Sequence, residues 1–427
     1  MDKLIVEGGR PLDGSVRTAG SKNAVLPILA ASILTREPLK IRRAPRLSDV
    51  RTMLGILRSL GARGELDENG RGVEISCEGD INPRAPWEEV RKMRGSVCVL
   101  GPLLARCGRA EVSLPGGCVF GVRPIDVHLK GLEALGAKVR IEHGYVIAEA
   151  PDGLRGRSIY LGSAFGSSVL GTANILMAAT LAKGTTIIQG AACEPEVVDL
   201  ADCLNAMGAR ISGQGSPIVT IEGVDELSGA EHEVIADRIE AGTYVIAGAL
   251  CGGRVRVEGC RPDHLAVLLD RLWDARVPVD VGEDWIETQP YDPAETRPRS
   301  SDVTTHAYPG FPTDLQAQWM ALMTRADGLS IITERIYPDR WMHLPELQRL
   351  GAELRRQGTA AVVRGTDRLS GAPVTASDLR ASAALVLAGL VAEGTTEVHR
   401  VYHIDRGYER IEERLVAMGA GIRREQE

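Results

Sequence analysis

Hydrophobic and polar positions along the chain form a unit that recurs every 68 to 75 residues. Each copy contains an amphipathic helix followed by a strand, and in five copies the helix ends in the pattern L-x-x-L/M-G-A. A degenerate copy, LWDARV, fills the remaining interval. In the six copies this pattern starts at Leu57, Leu132, Leu204, Leu272, Leu347 and Leu415. Recurrence at a nearly fixed spacing predicts a fold that is built from six similar units.

A second helix lies upstream of each of these helices, and it is apolar and rich in alanine. It usually leads through a glycine turn into a β-branched strand, as in AATLAKGTTII and AGLVAEGTTEV. Because these upstream helices have little polar surface, we predict that they pack inside their unit and not on its outside. In five copies a glycine also follows the amphipathic helix, where a left-handed residue ends many helices.

The repeats predict an α/β fold class with two lobes of three units each. We place the first lobe at residues 22–235 and the second lobe at residues 1–21 and 236–427. The boundary between the third and fourth repeats lies near Gly229 to Ala236. We expect the active site in the cleft between the two lobes.

The composition is that of an ordinary globular protein, with 44% hydrophobic and 25% charged residues among 427. A formal charge of -7 argues against a broad nucleic-acid-binding surface. The eight cysteines include no C-x-x-C pair, so we expect neither a zinc ribbon nor a thioredoxin-type site. The uncharged stretch 161–182 is interrupted by glycines, which favours a loop and a buried helix over a membrane span. Without an export signal, and with free thiols, the protein is expected in the cytoplasm.

Basic residues occupy equivalent positions at the starts of the predicted helices. The first helices of the six repeats begin, 66 to 76 residues apart, at Lys22, Arg94, Ser168, Arg238, Asp314 and Arg380. The second helices add Arg123, Arg340 and Arg406. A helix start already carries a positive dipole end, so basic side chains placed there favour bound anions. For any single residue a solvated position in the first turn is an equal alternative, but the set predicts phosphate and carboxylate ligands.

One glycine-rich stretch, SLPGGCVFGVRP, places Cys118 five residues before Arg123. A nearby guanidinium lowers the pKa of a thiol from its usual value of about 8.5, which makes the thiol a usable acid or nucleophile. The alternative is a cysteine that only packs against a glycine turn. Asp314 is a carboxylate in a mostly basic set, and it is either a general base or an ordinary acidic residue of a first turn.

Six longer motifs follow one another along the chain: TAGSKNAVLPIL, SLPGGCVFGVRPIDVHL, FPTDLQAQW, DRWMHLPEL, ASDLRASAALVLAG and YHIDRGYERIEE. Together they resemble the UDP-N-acetylglucosamine 1-carboxyvinyltransferase family of enolpyruvyltransferases, from about Lys3 to Ile422. The resemblance implies a two-lobed inside-out α/β barrel of six repeated βαβαββ units, three per lobe. The related enzyme that acts on shikimate 3-phosphate shares this fold but lacks the P-G-G-C loop.

The resemblance implies transfer of the enolpyruvyl group of phosphoenolpyruvate to the 3′-hydroxyl of UDP-N-acetylglucosamine, with release of phosphate. This reaction is the first committed step of peptidoglycan synthesis, and it proceeds by addition and elimination through a tetrahedral phospho-ketal. No cofactor and no metal are implied, because Arg and Lys supply the positive charge around the phosphate. The implied partners are these two small molecules, without nucleic acid or membrane, and the chain is expected to be a monomer or a weak homo-oligomer.

The matching motifs also imply roles for individual residues. The implied catalytic residues are Cys118, Asp314, Lys22 and Arg406. The implied ligands of phosphoenolpyruvate are Lys22, Asn23, Arg123, Arg340, Arg380 and Arg406, with Arg340 and Arg380 on its carboxylate. The implied contacts of UDP-N-acetylglucosamine are Asn23, Arg94, Arg123, Pro124, Ile125, Asp126, Val127, Ser168, Val169, Leu170, Asp314 and Ile336. Cys118 is implied to protonate C3 of phosphoenolpyruvate or to form a phospholactoyl adduct, and Asp314 to take the proton of the attacking hydroxyl.

One loop departs from the family pattern. The family has S-V-G-A-T where this chain reads Ser168-Val169-Leu170-Gly171-Thr172. A leucine thus replaces a glycine at a place where the backbone is expected to approach the nucleotide closely. Two alternatives therefore stay open: an enolpyruvyltransferase for another uridine nucleotide, and a non-catalytic nucleotide-binding regulator.

Overall fold

A computed structural model describes residues 2–67, 71–114, 125–164, 166–292 and 295–426. Three of the predicted site residues, Cys118, Arg123 and Pro124, lie outside these ranges. The chain divides into two compact units. We call Gly20–Ile235 the central unit, and Met1–Ala19 with Ala236–Glu427 the terminal unit.

The α-helices of the described residues are, in chain order, α1 (Lys22–Ala31), α2 (Ser48–Ser59), α3 (Trp87–Val90), α4 (Leu100–Cys107), α5 (Asp126–Ala134), α6 (Val169–Thr180), α7 (Pro195–Ala206), α8 (Arg238–Cys251), α9 (Ala266–Asp274), α10 (Gln316–Met323), α11 (His343–Arg349), α12 (Leu379–Val391) and α13 (Ile411–Ala417). Short 3₁₀ helices occupy Ser32–Leu34, Arg94–Val99, Pro262–Leu265, Thr313–Leu315 and Val401–Arg406.

The strands are β1 (Asp2–Glu7), β2 (Asp13–Arg17), β3 (Leu39–Arg42), β4 (Arg63–Leu66), β5 (Gly72–Ser76), β6 (Arg84–Ala85), β7 (Arg109–Ser113), β8 (Lys138–Glu142), β9 (Tyr145–Glu149), β10 (Ser158–Tyr160), β11 (Thr185–Gln189), β12 (Arg210–Ser212), β13 (Ile218–Glu222), β14 (Ala230–Glu233), β15 (Arg254–Glu258), β16 (Val279–Val281), β17 (Trp285–Thr288), β18 (Val303–Thr304), β19 (Leu329–Thr333), β20 (Glu353–Gln357), β21 (Ala360–Arg364), β22 (Leu369–Ser370), β23 (Pro373–Thr375), β24 (Ala392–Glu393), β25 (Thr395–His399) and β26 (Gly421–Gln426).

Each unit contains, over its described residues, three four-stranded sheets of one common topology. In every sheet the first two strands are parallel, and the remaining neighbours are antiparallel. The orders in the central unit are β14-β3-β5-β4, β6-β7-β9-β8 and β10-β11-β13-β12. The orders in the terminal unit are β2-β15-β17-β16, β18-β19-β21-β20 and β23-β25-β1-β26, beside a short parallel pair of β22 and β24. The recurrence of one topology is the structural counterpart of the repeat in the sequence.

Strands from distant parts of the chain complete three of these sheets, and in one of them β2 pairs with β15, with Asp13 opposite Arg254. β1 lies between β25 and β26, antiparallel to both, with Leu4 opposite Val398 and Arg424. In the central unit, β14 pairs with β3, so that Ala230 lies opposite Leu39. Helices and sheets thus alternate through the chain, and the predicted α/β class is confirmed.

Apolar helices lie in the interior of both units, as their sequences predict. In the described part of the central unit, α6 packs against α1 and α4, and in the terminal unit α8, α10 and α12 pack together. Every residue of α8 is buried, including Arg238 and Glu240 at its start. Many strands bury alternate residues, as in β11, where Thr186 and Ile188 are buried, whereas β1 buries the three consecutive residues from Leu4 to Val6. No helix among the described residues is both long enough and apolar enough to cross a membrane.

Left-handed residues follow the amphipathic helices, as the glycine pattern predicts. The φ angles are 106° at Gly61, 97° at Gly136, 100° at Gly208, 90° at Gly351 and 93° at Gly419. In the degenerate copy the same place is taken by Arg276, with φ at 57°. An L-residue with a Cβ pays a steric cost of about 1–2 kcal/mol in this conformation, which accounts for glycine in the other copies.

Candidate active site

In the terminal unit, one carboxylate is bound by two buried arginines. Asp314 Oδ1 accepts a hydrogen bond from Arg340 Nη1, and Asp314 Oδ2 accepts one from Arg380 Nη2, both at 2.8 Å. The two arginine side chains are 7% and 4% exposed, whereas the Asp314 side chain is 25% exposed. Charge-assisted bonds of this length are strong, and the cluster keeps one edge open to solvent. The structure therefore brings together three residues that the sequence singled out.

Helix starts position Asp314 and Arg380, whereas Arg340, which was predicted at the start of a second helix, lies three residues before α11. Asp314 lies in the 3₁₀ helix Thr313–Leu315, directly before α10. Arg380 is the second residue of α12, and Asp378 caps this helix, because Asp378 Oδ1 accepts from the N–H groups of Arg380 and Ala381 at 2.8 and 3.0 Å. A capping carboxylate fixes where a helix begins. Since α10 and α12 pack against each other, their starts bring Arg380 to Asp314.

Opposing effects act on the pKa of Asp314. Burial raises this pKa, but the charges of Arg380 and Arg340 outweigh burial and hold the pKa of Asp314 well below its usual range. Burial likewise lowers the pKa of Arg380, but Asp314, together with smaller contributions from Tyr408 and Asp237, outweighs burial and the net shift is upward. Asp314 is therefore ionised in this arrangement, and it is a weak base as long as both guanidinium groups hold it.

Both arginines also donate hydrogen bonds to neutral polar side chains that have no signal in the sequence. Arg340 Nη1 also donates to Thr313 Oγ1 at 3.0 Å, and Thr313 Oγ1 donates to Glu334 Oε2 at 2.9 Å. Arg380 Nη1 donates to the hydroxyl of Tyr408 at 3.4 Å. Tyr408 and Glu334 are both buried. Glu334 directly follows the strand β19, and a single polar residue at such a place is usually exposed, so its burial could not be predicted from the sequence.

Two further predicted residues lie in the terminal unit. Arg406 is the last residue of the 3₁₀ helix Val401–Arg406, and this helix packs against α12, which carries Arg380. Ile336 is half-buried, and its backbone N–H donates to Glu334 Oε1 at 2.8 Å. The structure thus places Arg406 beside the helix of the arginine cluster and fixes Ile336 through its backbone.

In the central unit, Lys22 opens α1 and forms an ion pair with Asp49, near the start of α2. Lys22 Nζ lies 3.2 Å from Asp49 Oδ2, and the side chains are 13% and 4% exposed. The ion pair holds the ammonium group at the start of α1, next to the half-buried Asn23. The sequence does not mark Asp49 as a partner of Lys22, because an acidic residue is common in the first turn of a helix.

Three segments that were predicted to contact the nucleotide meet around Asn174 of α6. Asn174 Nδ2 donates to the carbonyl of Val97, in the 3₁₀ helix that begins at Arg94, and to Nδ1 of His128 in α5, both at 2.9 Å. Asn174 Oδ1 accepts from the N–H of Gly101 at 2.7 Å. Burial, reinforced by the charge of Arg94, lowers the pKa of His128 to about 4, which keeps the imidazole neutral and able to accept. Asn174, absent from the predicted set, therefore ties these segments together.

The starts of α5 and α6 also touch directly. Ser168 caps α6, because its Oγ accepts from the N–H of Gly171 at 3.1 Å. A Cβ at Gly171 would lie 2.8 Å from Ser168 Oγ and 3.1 Å from Val127 Cγ1. Val169 and Leu170 are half-buried and pack against the apolar core of the central unit. At the start of α5, Ile125 and Val127 are buried and Asp126 is exposed.

The predicted thiol acid Cys118 lies outside the described residues, as do Arg123 and Pro124. Cys98, Cys203 and Cys251 are buried, as their apolar sequence contexts predict. Burial raises the pKa of each of these thiols to about 12, so they stay protonated and unreactive. Within the described ranges, no three His, Cys, Asp or Glu side chains are grouped in a way that could hold a metal ion.

Sequence comparison finds relatives over the whole chain. The chain is 53% identical to the UDP-N-acetylglucosamine 1-carboxyvinyltransferase of Methylacidiphilum infernorum over 424 residues, which cover 99% of both proteins. It is 54% identical to the protein of the same name from an Anaeromyxobacter species over 430 residues, which cover 100% of both. The chain belongs to the UDP-N-acetylglucosamine 1-carboxyvinyltransferase family. The resemblance of the six motifs and the prediction of an enzyme are thereby confirmed.

The UDP-N-acetylglucosamine 1-carboxyvinyltransferase family shares its fold with other enolpyruvyl transferases. The model of the EPSP synthase (3-phosphoshikimate 1-carboxyvinyltransferase) family matches residues 6–415. The crystal structure of the enolpyruvyl transferase NikO from Streptomyces tendae is similar with a TM-score of 0.89 and 27% identity, over 99% of this chain and 98% of that chain. EPSP synthase from Acinetobacter baumannii matches over 100% of both chains with a TM-score of 0.74 and 17% identity, a likeness in fold alone.

Proposed function

We propose that this protein transfers the enolpyruvyl group of phosphoenolpyruvate to the 3′-hydroxyl of UDP-N-acetylglucosamine and releases phosphate. The observation that carries the proposal is the carboxylate of Asp314 bound by Arg340 and Arg380 at 2.8 Å. Two nearly buried guanidinium groups that already hold one carboxylate suit the carboxylate of phosphoenolpyruvate. Relatives that are more than half identical over their whole length carry the name of this activity.

The substrate carboxylate and Asp314 compete for the same two guanidinium groups. When phosphoenolpyruvate occupies Arg340 and Arg380, Asp314 loses the charges that depress its pKa, and its affinity for a proton rises. The released carboxylate is then able to take the proton of the 3′-hydroxyl as a general base. Substrate binding in this way produces the base that the reaction needs.

The other roles follow the family motifs. The thiol of Cys118 gives its proton to C3 of phosphoenolpyruvate, and the 3′-oxygen of the sugar bonds to C2 while its proton passes to Asp314. In the elimination step the phospho-ketal returns a proton from C3 to the Cys118 thiolate and expels phosphate, which takes the proton held by Asp314, and the double bond is restored. Lys22, Arg123 and Arg406 balance the charge of the phosphate during both steps.

The nucleotide is proposed to bind at the segments that Asn174 ties together, with Asn23 and Asp314 as contacts of the sugar and Ile336 as a further contact. A second candidate acceptor is another uridine nucleotide. It is favoured by Leu170, a bulky side chain at the start of α6 where the family has glycine. The two candidates differ in the acceptor and share the chemistry of phosphoenolpyruvate.

We further propose that the enzyme works in the cytoplasm, as a monomer or weak homo-oligomer, at the first committed step of peptidoglycan synthesis. It would thereby serve cell shape and cell division. The described cysteines form no disulfide, which supports a reducing compartment. Residues 22–235, and residues 1–21 with 236–427, are the proposed lobes.

The proposal is tested by phosphate release from phosphoenolpyruvate with a panel of acceptors. We expect UDP-N-acetylglucosamine to support turnover with kcat/KM about tenfold or more above that of UDP-glucose, since the missing acetamido contacts weaken transition-state binding. Release with a different uridine nucleotide alone would establish the second acceptor. Binding of both substrates without any phosphate release would contradict an enzyme and favour a regulator.

A further inference from the structure

Glu334 is a fully buried carboxylate that has only neutral hydrogen-bond donors as partners within the described chain. It follows β19 directly, and its side chain is 0% exposed. Oε1 accepts from Thr305 Oγ1 at 2.7 Å and from the N–H groups of Ile336 and Tyr337 at 2.8 and 2.9 Å. Oε2 accepts from Thr313 Oγ1 at 2.9 Å.

Burying an ionised carboxylate without a cation is costly, and hydrogen bonds must offset that cost. The four hydrogen bonds that Glu334 accepts provide this compensation, and they fix the position of the carboxylate. Because a carboxylate only accepts, it forces the hydroxyl hydrogen of Thr313 to point at Oε2 of Glu334. The lone pairs of that hydroxyl then face Arg340, whose Nη1 donates to it at 3.0 Å.

A second connection runs through the backbone. Glu334 holds the N–H groups of Ile336 and Tyr337, and the carbonyl of Tyr337 accepts from the N–H of Arg340 at 2.9 Å. Both the guanidinium and the backbone of Arg340 are therefore set by the same buried carboxylate. The guanidinium meets Asp314 with the same Nη1 atom that contacts Thr313.

We propose that Glu334 is a positioning residue that acts through Thr313 to orient the guanidinium of Arg340 for the carboxylate of phosphoenolpyruvate. The inference rests on the proposed function, because it takes Arg340 as a ligand of that substrate. Glu334 itself touches neither substrate, and its effect is on the affinity for phosphoenolpyruvate.

The test is the Kd for phosphoenolpyruvate, measured by calorimetry for Glu334→Gln, Thr313→Val and the double variant. An analogue of UDP-N-acetylglucosamine that lacks the 3′-hydroxyl is present, so that no turnover consumes the phosphoenolpyruvate. Each single change is expected to raise this Kd by about tenfold, the effect of one lost hydrogen bond to a charged group. Because both changes break one connection, the double variant should be about as weak as the weaker single variant. Thr313→Ser keeps the hydroxyl and should bind within about twofold of the unchanged protein.

Thr324→Val is the matched control, because Thr324 is also a buried threonine of the terminal unit, but its hydroxyl donates to the carbonyl of Ala321. It should leave the Kd unchanged. Two results would overturn the connection from Glu334 through Thr313 to Arg340. One is a double variant whose increase in Kd is the product of the two single increases. The other is a Thr313→Ser variant that binds phosphoenolpyruvate as weakly as Thr313→Val.

The same experiment, together with phosphate release from phosphoenolpyruvate and UDP-N-acetylglucosamine, separates this inference from the proposed function. If the unchanged protein binds phosphoenolpyruvate with the expected pattern of variants but releases no phosphate, the connection holds and the proposed function fails. If it releases phosphate while the variants bind like the unchanged protein, the connection fails and the function stands. A protein that does not bind phosphoenolpyruvate overturns both.

Discussion

The structure shows the Asp314 carboxylate paired with two arginines, whereas the proposed reaction needs this carboxylate free to accept a proton. Without substrate, its carboxylate neutralises Arg340 and Arg380, and the two guanidinium groups keep its pKa low. In the proposed reaction it accepts a proton, which needs a higher pKa. Exchange of one carboxylate for another at the same guanidinium groups reconciles the two states. It also keeps both buried arginines paired at every stage, and an unpaired buried charge costs about 3–5 kcal/mol.

Asp314→Asn should separate these two tasks. The amide cannot take a proton, so kcat should fall by about 10²–10⁴-fold. The affinity for phosphoenolpyruvate should stay the same or rise, because its carboxylate no longer competes with a second anion. Steady-state kinetics and calorimetric titration measure both quantities. A parallel loss of affinity and kcat would mean that Asp314 orders the site and is not its base.

Arg340→Lys and Arg380→Lys should raise the KM for phosphoenolpyruvate by about tenfold or more, and affect nucleotide affinity much less. A planar guanidinium matches a carboxylate with paired donors, which an ammonium group cannot do. Arg364→Lys is the control, since Arg364 is 63% exposed and its partner is the equally exposed Glu353. Equal losses for the two substrates would show that these arginines do not hold the carboxylate.

The sequence predicts the charged members of this cluster but not their neutral partners. Asp314, Arg340 and Arg380 stand out because charges recur at helix starts. Tyr408 does not, since its role depends on Arg380 and on Thr243, which lies 2.9 Å away although 165 positions apart in the chain. Polar residues acquire such partners through packing, and no local pattern records that.

At the scale of elements, the starts of the helices carry predicted site residues and also pack against one another. α5 and α6 are held by Asn174 and by close packing, as at Gly131, where a Cβ would lie 2.5 Å from Ile175 Cδ1. The repeat predicts the helices and the residues at their starts. It does not predict which starts touch, because that depends on how neighbouring repeats pack.

Gly171→Ala should weaken the binding of UDP-N-acetylglucosamine. The added Cβ would stand 2.8 Å from Ser168 Oγ and 3.1 Å from Val127 Cγ1, so the start of α6 must move. Gly79→Ala is the control in the same unit, because a Cβ there meets no atom of the described structure within 4 Å. Calorimetry should show a Kd raised by about tenfold for Gly171→Ala alone. Equal nucleotide affinity in both variants would remove this helix start from the binding site.

Glu240, in the first turn of α8, should make stability depend on pH. It is 2% exposed, lies 3.3 Å from Arg414 and accepts from the N–H of Ala19. Burial raises the pKa of Glu240 to about 7; Arg414 opposes this shift, and Asp237 and Glu409 add to it. The folded protein therefore keeps a proton that the unfolded chain releases above its ordinary pKa of 4.5.

Stability should consequently fall as the pH rises from about 4.5 to about 7, by at most about 1.4 kcal/mol per pH unit, and level off above. Glu240→Gln removes this contribution. Urea denaturation between pH 5 and 8 should give a free energy of unfolding for the unchanged protein that declines relative to that of the variant. Parallel curves for the two proteins would contradict the raised pKa.

At the scale of the whole molecule, one topology is repeated, and local pattern explains most of it. Apolar helices without a polar side predict their own burial, and glycines predict where helices end. The sequence assigns residues 1–21 to the second lobe, but the strand partners of β1 could not be predicted in this way. This strand lies between β25 and β26 and completes the sheet of the last repeat. The local sequence of a strand does not indicate a partner that lies hundreds of positions away in the chain.

The proposed activity of this molecule is the transfer of an enolpyruvyl group to a sugar hydroxyl. The most direct measurement is carbon NMR of a reaction that contains phosphoenolpyruvate labelled at C2, UDP-N-acetylglucosamine and the protein. We predict that the label moves into a vinyl ether carbon bonded to the 3′-oxygen of the sugar, with one phosphate released for each ether formed. A label that stays in phosphoenolpyruvate while both substrates are bound would contradict the account.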